Sequence, residues 1–153
     1  MTLTALGALL PLVALLVPGL AQPRAGKDQI AVRDAWVRVS SAARTVSSGY
    51  LVVENRASTP LALVRVEVEG VGNAELHAVV EENGRTTMKA IARLPVPPRG
   101  SAALAPGGTH LMLTEITRPL RLGTTLRMTL TFDNRQTRTV RAIVRPLDAM
   151  SAK

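Results

Sequence analysis

Residues 126 to 132 alternate without a break, with Leu126, Met128, Leu130 and Phe132 set against Arg127, Thr129 and Thr131. A period of two fits a half-buried β-strand and no helix. Segments of similar character recur at residues 30–39, 49–54, 62–69, 75–82, 85–93, 101–104, 109–114 and 137–145. Turn formers separate them: Ser58-Thr59-Pro60, Gly70-Val71-Gly72-Asn73, Asn83-Gly84, the Pro- and Gly-rich residues 95–100, Pro106-Gly107-Gly108, Gly123 and Asp133-Asn134. Eight or nine short strands at this spacing predict an all-β chain folded as an antiparallel sandwich or barrel. There is no internal repeat and no low-complexity tract.

At 153 residues the chain has room for one domain with a real hydrophobic core. Residues 3–20 form an apolar run broken by Thr4, Gly7, Pro11, Pro18 and Gly19, and the small residues around Ala21 suit a signal peptidase. The expected division is an export signal at 1–21, a linker at 22–28, the β domain at 29–146 and a flexible tail at 147–153. The stretch before the apolar run carries no Lys or Arg, so an uncleaved membrane anchor is the second reading; two prolines and marginal length count against it. Either way the β domain is expected outside the cytoplasm. With no cysteine in the sequence, disulfides, thiolate chemistry and acylation of a lipoprotein cysteine are all excluded. The formal net charge of +8 comes from dispersed basic residues, mostly arginine, which read as a solvated surface with docking to an acidic partner as a weaker role. Trp36, Tyr50 and Phe132 are the only aromatics, so a stacking platform for single-stranded nucleic acid is missing.

Chemistry concentrates on the two histidines. A two-residue Asn83-Gly84 loop is the strongest short hairpin signal and sets the register, with residue 82 facing 85, 79 facing 88 and 77 facing 90. Leu76, Ala78, Val80 and Ile91 then fall on one face and His77, Val79 and Met88 on the other. His77 and Met88 become diagonal cross-strand neighbours, about 7 Å apart at the backbone. His110 and Met112 share a face by the same parity, opposite Leu111 and Leu113. Taken singly, each has a bland explanation: a lone histidine is more often a surface residue than a ligand, and a lone methionine is usually core filler. Met128 fits the filler role, and Met150 lies in the tail. Met88 and Met112, by contrast, sit opposite the apolar residues of their own strands.

Two imidazoles and two thioethers make a soft, neutral donor set that suits copper, and Cu(I) in particular. A blue-copper electron carrier needs a cysteine thiolate and fails. Zinc sites draw on His, Cys, Asp and Glu, which methionine in two of four places argues against. Glu75, Glu81, Glu82 and Glu115 read as solvated, neither histidine has an evident orienting acid, and no nucleophile elbow is present, so an enzyme is not expected. Two readings compete with copper delivery: a metal-free structural or adhesive β-sandwich, and sequestration of copper for resistance.

The pattern His77, ten residues, Met88, twenty-one residues, His110, one residue, Met112 resembles the signature of the periplasmic copper chaperone family called PCuAC. The likeness extends over Asp34-Ala35-Trp36-Val37-Arg38, Gly49-Tyr50-Leu51 with Glu54-Asn55, Glu75-Leu76-His77, the block from Pro106 to Leu113, and Pro119-Leu120-Arg121-Leu122-Gly123 leading to Leu130-Thr131-Phe132. The resemblance implies a cupredoxin-like or immunoglobulin-like β-barrel with an exposed copper site made by His77, Met88, His110 and Met112. It further implies copper delivery in the bacterial periplasm, toward the dinuclear centre of cytochrome c oxidase, in some cases alongside a thioredoxin-like assembly factor. Val79 stands where many members carry a further Met, and the tail offers only Met150, so one principal site is expected.

Overall fold

A computed structural model describes residues 29–41, 43 and 45–151. The expected export signal and linker lie outside the described residues. Ten strands form one hydrogen-bonded network: β1 (Ile30–Arg38), β2 (Ser47–Asn55), β3 (Leu61–Val68), β4 (Val71–Glu82), β5 (Arg85–Ala90), β6 (Leu94–Val96), β7 (Gly100–Leu104), β8 (His110–Ile116), β9 (Thr125–Phe132) and β10 (Thr137–Arg145). The order across the sheet is β5-β4-β8-β2-β1-β10-β9-β3-β6, with β7 pairing the second half of β2. No α-helix occurs among the described residues.

The all-β reading holds, with two differences. First, the sheet is mixed, because β1 and β10 run parallel, Trp36 opposite Ile143 and Arg38 opposite Arg145. Second, there is a tenth strand. Residues 94–96 look like turn because of Pro95, yet they pair along β3 with Pro95 opposite Ala62, and an edge strand is where a residue lacking an N–H is tolerated. The turn before β4 is also tighter than its sequence implies. Gly70 takes φ +79°, and from Val71 the chain already pairs with β8. Gly72 is required inside that strand because a Cβ there would stand 2.8 Å from the Cβ of Glu115 on β8.

Alternation places the core as expected. Leu126, Met128, Leu130 and Phe132 are all buried and pack with Leu51, Val53, Leu63, Leu111, Leu113 and Val144. Met128 is core filler, fully buried. Trp36 and Tyr50 stack across β1 and β2 with ring centroids 4.3 Å apart. The Arg38 guanidinium lies 5.4 Å from the Tyr50 ring centroid, close enough for a cation–π contact. Residues 147–151, which read in the sequence as tail, lie against this end of the molecule: Arg38 donates to the Ala149 carbonyl at 3.3 Å, and Met150 lines a cleft with Trp36.

Candidate metal centre

β4, β5 and β8 carry the candidate residues. Asn83 and Gly84 both have positive φ, 52° and 72°, the geometry of the two-residue turn that matches strand twist. That turn pairs Glu82 with Arg85, Val79 with Met88 and His77 with Ala90, the register its sequence demands. Gly107 at φ +78° and the Ala105 N–H donating to Thr109 O at 2.8 Å close the turn that launches β8. β8 then lies antiparallel along the other edge of β4, with His77 directly opposite His110 and Glu75 opposite Met112. Opposed residues share a face. His77, Met88, His110 and Met112 therefore stand on one face of three adjacent strands, while Leu76, Leu111 and Leu113 point into the core from the other.

The imidazole centroids of His77 and His110 are 6.0 Å apart with the planes inclined at 50°. Metal–nitrogen bonds near 2.0 Å put two rings on one ion at centroid separations of roughly 5–6 Å, so the pair needs little adjustment to share one. Exposure is graded across the group. His110 is 8% exposed and Met88 59%, so the site is closed at its inner end and open at the outer one, not exposed throughout. Met88, His110 and Met112 border a cleft of about 390 Å³ whose other wall includes Arg38, Val46 and Leu147. Two clefts of about 450 and 410 Å³ near Glu69 are larger, but Arg, Thr and Leu dominate their walls and neither holds a His or Met.

Both rings are oriented by neighbours. His110 Nδ1 lies 2.9 Å from the Gly108 carbonyl oxygen; a carbonyl only accepts, so Nδ1 carries a proton and the lone pair of the neutral tautomer is on Nε2. His77 Nε2 lies 3.2 Å from the Glu75 carboxylate. The His77 imidazole holds the Glu75 carboxyl below the usual carboxylate range, the Asn73 side chain adds to the effect, and partial loss of hydration opposes it. Sequence reasoning misses this contact by reading Glu75 as merely solvated. The available signal is parity, since residues 75 and 77 share a face of one strand.

Among the described residues no three His, Cys, Asp or Glu side chains group closely enough to hold a metal ion. The thioethers of Met88 and Met112 are the further donors on the histidine face, and a set of two nitrogens and two sulfurs fits a soft monovalent ion better than zinc.

The family model "LpqE-like: Putative lipoprotein LpqE-like" matches residues 30–144. A relative from Leifsonia xyli subsp. xyli, "Putative lipoprotein Lxx21020", is 32% identical over 123 residues, covering 79% of this chain and 73% of its own. Among solved structures, an apo PmoF2 PCuAC domain matches with a TM-score of 0.66 and 25% identity, over 80% of this chain and 94% of that one. The solution structure of CuI-DR1885 from Deinococcus radiodurans matches with a TM-score of 0.62 and 26% identity, over 81% of this chain and 85% of that one.

Proposed function

Because this chain belongs to the LpqE-like family and shares its fold with PCuAC domains, we propose that it is an exported copper chaperone. It binds one Cu(I) ion through His77, Met88, His110 and Met112 and passes the ion to an acceptor protein. The observation that carries this reading is the register of β4 between β5 and β8, which sets two imidazoles opposite each other with a thioether to either side on the same face. The Cu(I) form of the similar Deinococcus protein supports the choice of ion.

Thioether sulfur and imidazole nitrogen are neutral, so they hold Cu(I) without the strong electrostatic grip of thiolates. Weak individual bonds favour exchange of donors with an acceptor. The graded exposure gives an order to that exchange, with Met88 the donor an incoming ligand reaches first and His110 the last. The acceptor we propose is the dinuclear copper centre of cytochrome c oxidase or a thioredoxin-like assembly factor, a proposal that rests on the PCuAC likeness. Export rests on the apolar run at residues 3–20 and on the lipoprotein names of the family and the relative. The 153 residues hold no cysteine, so this sequence offers no thiol for acylation.

Anaerobic titration with Cu(I), followed by X-ray absorption, tests the reading. One ion per chain with two nitrogen and two sulfur donors is expected, and loss of the complex in His110→Ala and Met112→Ala. Absence of binding in the wild type would leave a metal-free β-sandwich. Copper that binds but does not transfer to an apo acceptor would mark sequestration.

A further inference from the structure

We propose that Glu75 is a positioning residue of this centre, holding the Nε2–H of His77 so that His77 offers Nδ1 to the ion while His110 offers Nε2. The inference rests on the copper reading above. An ionised carboxylate only accepts hydrogen bonds, so at the 3.2 Å contact the His77 Nε2 must bear the proton, and the neutral ring is left with its lone pair on Nδ1. His110 is held the opposite way round by the Gly108 carbonyl. The two rings face each other from paired positions, each with one nitrogen engaged and one free, and the free nitrogens are of different kinds.

Metal-bound imidazoles are commonly fixed by a carboxylate or a carbonyl on the second nitrogen, which sets ring orientation and raises donor basicity. Here one histidine has each kind of support. Glu75 also stands opposite Met112, at the margin of the proposed donor set, where its charge offsets that of an ion otherwise surrounded by neutral groups. The Glu75 side chain is 51% exposed, so its removal leaves no cavity.

Cu(I) is diamagnetic, which makes ¹⁵N NMR of the imidazoles the deciding measurement. In the wild type, copper loading should shift His77 Nδ1 and His110 Nε2, and the His77 Nε2–H signal should survive loading. Glu75→Gln retains an oxygen acceptor and should keep the same coordinating nitrogens. Glu75→Ala should expose the Nε2–H to fast solvent exchange and weaken Cu(I) binding roughly 10–100-fold, the range for loss of such a partner, in a protein that circular dichroism shows to be folded. Coordination through His77 Nε2, a Glu75 oxygen bound directly to copper, or wild-type behaviour in Glu75→Ala would each overturn the proposal. Were the wild type to bind no Cu(I), the functional reading would fail. The contact itself would still be tested in the apo protein, by whether a slowly exchanging His77 Nε2–H is present and is lost in Glu75→Ala.

Discussion

Exchanging two adjacent residues, Thr87→Met together with Met88→Thr, tests the face argument without altering composition or charge. Met88 pairs with Val79 and Thr87 with Val80, so the exchange carries the thioether from the histidine face to the opposite one. The displacement is on the order of 10 Å, the scale that separates side chains on the two faces of a sheet, whereas a metal–sulfur bond is about 2.3 Å long. No rotamer change bridges that difference. Every residue of β5 is exposed, so the fold should lose no more than about 0.5 kcal/mol. Loss of a direct donor should cost at least as much as loss of an outer partner, roughly 10–100-fold in affinity or about 1.4–2.7 kcal/mol. Competition against a chromophoric Cu(I) chelator gives the affinity, and X-ray absorption should show one sulfur donor in place of two. Unchanged affinity with two sulfurs would refute the assignment of Met88 and the register logic behind it.

Leu111 lies fully buried beneath the site, between His110 and Met112 on β8; Leu111→Ala should cost about 2–5 kcal/mol in urea denaturation while the protein that remains folded binds Cu(I) as before. Glu69 accepts from the Arg127 backbone N–H at 3.2 Å and from Arg118, contacts that hold its carboxyl below its ordinary value of 4.5. Its ionised form therefore favours the fold at every pH above that ordinary value, and the contribution fades as acid takes the carboxyl through its lowered value. Glu69→Gln should accordingly be less stable than wild type at neutral pH and indistinguishable from it in strong acid, as followed by thermal melts across pH.

Local rules suffice for the hairpin. Asn83-Gly84 dictates the β4–β5 register, and period-two parity alone then assigns His77, Val79 and Met88 to one face. Parity likewise separates His110 and Met112 from Leu111 and Leu113. What local rules cannot supply is the neighbour of β8, because pairing between strands far apart in sequence depends on the whole sheet. The parallel pairing of β1 with β10 is hidden for the same reason, joining segments from opposite ends of the domain. β6 is obscured by Pro95, whose lack of an N–H counts against a strand everywhere except an edge. Glu75 escapes detection because a carboxylate beside a turn looks like any other solvated charge. Half exposed, it still holds a partly buried imidazole two residues along its own strand.

Among the described residues β5 forms one margin of the sheet, with β4 as its single neighbour. Such a strand frays at the cost of a few solvated hydrogen bonds, far below the cost of opening the domain. An ion bound as proposed would be gripped partly from that border, through Met88, and could have that hold loosened while the buried Leu111 and Leu113 keep β8 packed on the core. Under the proposed function, unloading would thereby be separated from unfolding, and a carrier built this way would survive each round of delivery intact.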